Sequence, residues 1–145
     1  MLTVIADSSA LVSLVKKNDS RHGEAMNERR FLNNRPINAI LPAEVFAEAM
    51  NVIGKKISNP AAIEAAHAFV DAGFTIVHSE PAMLLEAADR LAKHKASVSF
   101  VDSLVMVWAD YYDTRTIFGF DAAFAASGYL LPRAGVDNAD PTAEK

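Results

Sequence analysis

Short apolar runs rich in β-branched residues alternate along this chain with longer segments of helical periodicity. That alternation constrains the fold more than any other feature. Strands that alternate with helices pair in parallel, through right-handed crossovers that leave helices on both faces of the sheet. Leu2 to Ala6 is apolar without a break except Thr3, as a strand covered on both faces must be. Ile37 to Leu41, Phe74 to His78 and Thr116 to Phe120 repeat the pattern, and Tyr129 to Leu131 offers a fifth strand. The expected architecture is α/β: a single-domain three-layer α/β/α sandwich with a central parallel sheet of four to five strands.

The helices between these runs carry their own punctuation. The first runs from Ser9 to Lys16 and Lys17, where cations suit a helix C-terminus. A charged second helix covers Ser20 to Phe31. Pro42 opens a third, with Gly54 as its stop, and Asn59-Pro60 opens a fourth that reaches Ala72-Gly73. Ser79-Glu80-Pro81 starts a fifth, ending near Lys95. Ser97 to Asp110 forms a very apolar sixth, and Ala122 to Ser127 a short seventh closed by Gly128. Phe31, Phe69, Phe74 and Phe124 are expected in the core. The folded domain is expected over residues 1–133, followed by a polar, flexible tail over 134–145 that has little to bury.

With 145 residues the chain suits one domain with a substantial core. Its apolar fraction of 51% and mean hydropathy of +0.11 are high, yet no run reaches the roughly eighteen apolar residues of a membrane helix. No membrane association and no leader segment are expected. The absence of cysteine excludes disulfides and thiolate metal sites and fits a reducing cytoplasm. A formal charge of −4 gives no global attraction to nucleic acid, so any such role needs a local basic patch.

In an open parallel sheet, ligands bind beyond the carboxyl ends of the strands. Asp7 stands at that end of the first strand and Asp121 at that end of Thr116–Phe120. Asp102 lies in the first turn of a helix apolar nearly all round. Glu44 and Glu48 share one face of the third helix. Each has an ordinary structural explanation. Asp7 and Asp121 suit helix caps, Asp102 completes a capping box with Ser99, and Glu44 favours a helix start through the dipole. The joint arrangement at one edge of the sheet argues for more. Several carboxylates in one cleft raise each other's pKa unless a cation joins them. All-oxygen donors suit Mg²⁺ or Mn²⁺, and such an ion fits hydrolysis of a phosphodiester by water.

The segments IADSSALVSL, EVFAEAMNVI, SFVDSLVMVWAD and GFDAAFAASGY, in this order and spacing, resemble the PIN domain family, especially the VapC-type toxins of toxin–antitoxin pairs. The resemblance extends to about Pro132. It implies a Mg²⁺- or Mn²⁺-dependent endoribonuclease whose acidic cluster falls on Asp7, Glu48, Asp102 and Asp121. Glu48-Ala-Met-Asn51-Val-Ile53 matches the family's glutamate phrase, with Glu44 as the alternative. It also implies an RNA substrate, a cognate antitoxin that enters the groove, and a homodimer. One departure stands out. The family often has threonine or another small polar residue two positions before the last aspartate, where this chain has Gly119, so a supporting hydrogen bond is expected to be missing at Asp121.

Ser8 is a candidate to hydrogen-bond a carboxylate or a metal-bound water, or to cap its helix. Lys16, Lys17, Arg29, Arg30, Lys55 and Lys56 are the candidate phosphate contacts, each also readable as a solvated helix end. The haloacid dehalogenase pattern fails because Ser9 stands where it needs a second aspartate. A receiver domain fails because Ile5-Ala6 precede Asp7 and Gly128-Tyr129 offer no lysine. Gly-rich phosphate loops and G-x-S-x-G are absent. His22, His67, His78 and His94 lack ligand spacing. Gly119 keeps open a second expectation, a catalytically idle domain that serves as a protein-binding scaffold.

Overall fold

The computed structural model describes residues 1–94 and 98–137. Four strands form one sheet: β1 (Leu2–Ala6), β2 (Ile37–Pro42), β3 (Thr75–Val77) and β4 (Ile117–Phe118). Their order is β3-β2-β1-β4 and every pairing is parallel. β1 is central, with Leu2 to Ile5 opposite Ile37 to Ile40 and Ile5-Ala6 opposite Ile117-Phe118. Val4, Ile5 and Ala6 are all buried although successive residues point to opposite faces, so helices cover both sides of β1. Tyr129 to Leu131 does not add a fifth strand. Its share of the sheet is one parallel bridge between Thr116 and Leu130.

Eight α-helices are described: α1 (Ser8–Val15), α2 (His22–Asn33), α3 (Ala43–Lys56), α4 (Asn59–Asp71), α5 (Pro81–Arg90), α6 (Phe100–Tyr111), α7 (Ala122–Ala126) and α8 (Pro132–Asp137). Most begin where the punctuation places them, with local differences. Gly54 does not stop α3, which runs two residues further to end on the cations Lys55 and Lys56. Ser58, not Asn59, caps α4, its hydroxyl accepting from the Ala61 amide at 3.1 Å. α5 ends at Arg90, continued by a 3₁₀ turn over Leu91–Lys93; the expected end near Lys95 lies outside the described residues, as does Ser97. Gly128 does close α7, in the left-handed region at φ 91°, where the missing Cβ removes the steric penalty.

α6 lies against β1 and buries every residue from Asp102 to Ala109. α5 packs on α6, and α3 packs on α1 and α4. Phe69 and Phe124 are in the core, and Phe31 and Phe74 pack against it. α8 is a departure from the polar tail expected after residue 133. It packs on α2, buries Pro132 and Gly135, and its Arg133 amide donates to the Glu28 carboxylate at 3.1 Å. The remainder of that tail, 138–145, lies outside the described residues. Among the described residues no helix is long and apolar enough to cross a membrane.

Candidate active site

The carboxyl edge of the sheet opens into a cleft of about 550 Å³ lined by Asp7, Glu48, Asp102 and Asp121. Each arrives from a different element, and three of them are fixed by a local backbone demand. Asp7 ends β1 and caps α1. Its Oδ2 accepts from the Ser9 amide at 3.1 Å and the Ser9 hydroxyl at 2.6 Å. Asp102 forms the capping box of α6. Its amide donates to Ser99 Oγ at 3.0 Å and its carboxylate accepts from the Ser99 amide at 3.4 Å. Asp121 caps α7 by accepting from the Ala123 amide at 2.8 Å. The cap explanations are therefore correct for three residues, and the same three face one cleft.

Capping leaves one oxygen of Asp7 unsatisfied. Asp7 is 1% exposed, and its Oδ1 is buried with no hydrogen-bond partner. Burial pushes its pKa up to about 6; the charges of Asp102 and Glu48 add to the rise, and the Ser9 hydroxyl and amide oppose it. The Asp102 carboxyl is also raised, by burial first and then by the neighbouring Asp121 charge. The cleft thus concentrates negative charge that its own donors do not balance.

The two glutamates separate clearly. Glu48 lines the cleft and accepts a hydrogen bond from the Ser8 hydroxyl. Glu44, one turn earlier, accepts from Ser79 Oγ at 3.1 Å, and that hydroxyl also receives the Trp108 indole N–H at 3.0 Å. Glu44 is not among the cleft-lining residues.

Gly119 has a packing reason. A Cβ there would stand 2.6 Å from Asp7 Cβ and 2.8 Å from Phe124 Cε2, so no larger residue fits without displacement. Support for the loop before Asp121 comes instead from Ser9, whose hydroxyl accepts from the Phe120 amide at 2.9 Å while donating to Asp7. Of the six candidate cations only Lys56 lines the cleft. Arg29 and Arg30 line other cavities. Arg21, absent from the sequence candidates, does line it, and its guanidinium lies 5.2 Å from the Phe120 ring centroid. The sequence places it only in the first turn of the expected second helix, whereas in the structure it is the residue before α2. No histidine lines the cleft; His22 Nδ1 is bonded to the Ser13 carbonyl at 2.7 Å.

A sequence model of the PIN domain matches residues 4–128, a span that includes all four acidic residues. The chain belongs to the PIN domain family. No curated protein matches the sequence. Among solved structures, this PIN domain is similar to VapC20 of Mycobacterium tuberculosis, described as a sarcin-ricin-loop-cleaving toxin. The TM-score is 0.78 at 22% identity, over 88% of this chain and 96% of that one. The likeness shows a shared fold.

Among the described residues no three acidic or histidine side chains stand close enough to hold an ion as they are. The chemistry of the donors nonetheless fits a hard divalent cation. They are carboxylates, one oxygen is buried without a partner, and their mutual repulsion is relieved by positive charge.

Proposed function

We propose that the protein is a divalent-metal-dependent endoribonuclease of the VapC type. The observation that carries this is the convergence of Asp7, Glu48, Asp102 and Asp121 on one cleft, with Asp7 Oδ1 buried and unpartnered. Mg²⁺ or Mn²⁺ at these residues would supply a water of lowered pKa and offset the charge that grows on the phosphate. Asp7 and Asp102 would hold the ion, and Asp121 would complete the set. Glu48, which accepts a hydrogen bond from the Ser8 hydroxyl, would take a proton from the attacking water. Asp7 and Asp102 form the buried part of the cleft, 1% and 8% exposed, whereas Glu48 and Asp121 are only partly buried. Lys56 and Arg21 are the cations available to an RNA backbone entering an otherwise acidic cleft.

A cognate antitoxin occupying the cleft, a homodimeric assembly and a cytoplasmic setting belong to the same proposal. A structured translational RNA is the substrate class favoured by the likeness to VapC20. The decisive experiment incubates antitoxin-free protein with a panel of cellular RNAs, with and without EDTA, and maps the new ends. Discrete, EDTA-sensitive ends absent from Asp7→Asn and Asp102→Asn support the proposal; identical ends from those variants overturn it.

The scaffold alternative draws on the carboxylates not being gathered tightly enough to hold an ion as they stand. It predicts no response to metal, whereas the nuclease gains thermal stability with millimolar Mn²⁺.

A further inference from the structure

The acidic cleft does not end at Asp121. Arg21, Phe120 and Asp121 line it, and the same three residues also line a second cavity of about 250 Å³. That cavity is mainly apolar, with Phe124 and Leu131 among its walls. Phe120 therefore stands between two spaces, partly buried, with the Arg21 guanidinium over its ring. Arg21 is held there by its surroundings. Asp19 accepts from the Ser13 hydroxyl at 3.1 Å and from the Arg21 amide at 2.8 Å, and Glu24 binds the guanidinium at 3.0 Å. The acid chemistry of the cleft requires neither an aromatic ring nor an apolar chamber.

We propose that this second cavity is a nucleobase subsite. It seats the base of the nucleotide next to the scissile phosphate against Phe120, and Arg21 at its mouth takes the adjoining phosphate. The size fits: a cavity of about 150 Å³ holds benzene, so this one has room for a single heterocyclic base. The chemistry fits as well. Aromatic rings stack on the face of any base, and guanidinium groups both stack on planar rings and bind phosphate. A phosphate entering beside Asp121 meets repulsion unless a cation stands at that end; Arg21 lines both cavities there, and its pairing with Glu24 is an exposed one that solvent weakens. The choice of RNA as substrate rests on the ribonuclease reading, whereas binding of a base needs no catalysis.

Two measurements separate the subsite from the nuclease. In the first, adenosine 5′-monophosphate, uridine 5′-monophosphate and ribose 5-phosphate are titrated into ¹⁵N-labelled protein. Amide shifts at Gly119, Phe120 and Phe124 are expected with the nucleotides and not with ribose 5-phosphate. Phe120→Leu should abolish them and Phe120→Tyr, which keeps the ring, should retain them. In the second, kcat/KM for a fluorescently labelled RNA should fall about tenfold in Phe120→Leu, mostly through KM, with Phe120→Tyr near wild type. RNA cleavage without nucleotide shifts and without a Phe120→Leu defect overturns the subsite and leaves the nuclease standing. Nucleotide shifts without cleavage do the reverse. Equal shifts from ribose 5-phosphate overturn base recognition and leave only a phosphate contact.

Discussion

A carboxylate withdrawn from water with one oxygen lacking a donor holds its proton more tightly, and the Asp7 pKa accordingly rises from 3.8 to about 6. The folded state then binds the proton more tightly than the unfolded chain. The stability of the metal-free protein is greatest below pH 3.8 as far as Asp7 decides it, falls as pH rises through that window, and is fully reduced above about pH 6. At about 1.4 kcal/mol per pKa unit the penalty is on the order of 3 kcal/mol. Asp7→Asn still caps α1, so it should fold, and in EDTA at pH 7.5 it should melt above wild type. The gap should close at pH 4, which thermal melts across pH will read directly. The same variant should lose metal-dependent RNA cleavage by a hundredfold or more, on the order of a lost charged contact to the reacting centre. Gly119→Ala is the converse case. The added methyl meets Asp7 and Phe124, so denaturant titration should show a loss of about 1–3 kcal/mol, with RNA cleavage falling in parallel. Asp7 and Asp121 were legible in the sequence because topology alone puts strand-end side chains at one edge. The contact behind Gly119 was not, since it joins residues 7 and 119 through the sheet.

Between elements, Ser9 is the link that matters most. Its hydroxyl joins the β1–α1 turn, which carries Asp7, to the turn before α7, which carries Asp121. Ser9→Ala leaves the Phe120 amide and Asp7 Oδ2 short of a partner, and chemical denaturation should register about 1–3 kcal/mol. Ser58→Ala, by contrast, removes only the cap of α4, should cost about 1 kcal/mol, and should leave cleavage unchanged. The two glutamates of α3 offer a sharper comparison. Glu48→Gln should remove activity, while Glu44→Gln, bonded to Ser79 away from the cleft, should not; a deficit confined to Glu44→Gln would reverse that assignment. Helix starts were legible because proline, serine and aspartate act locally. The choice between Ser58 and Asn59 as cap, and the run of α3 through Gly54, turn on one or two residues of local geometry that composition does not resolve. α8 escaped notice because its anchor, the Arg133 amide on Glu28, joins residues 105 positions apart.

For the molecule as a whole, the alternating pattern was enough to define the parallel sheet, since only one handedness of crossover packs well. The fifth strand failed because Leu130 meets Thr116 in a single bridge with no further pairing. The global test of the acidic site is ligand linkage. At about a hundred times its Kd, Mn²⁺ should stabilise the native state by about 2.7 kcal/mol, visible as a raised Tm that Asp7→Asn abolishes. A wild-type Tm indifferent to Mn²⁺ favours the scaffold.

The central position of β1 bears on how the chain is made. The central strand waits for an edge strand: Asp7 is made more than a hundred residues before its neighbours Phe118 and Asp121. A nascent or prematurely terminated polypeptide lacking that final strand carries three of the four acids but no closed edge on which to assemble them. The four acids therefore come to share one cleft only once the chain has been made through β4 and Asp121.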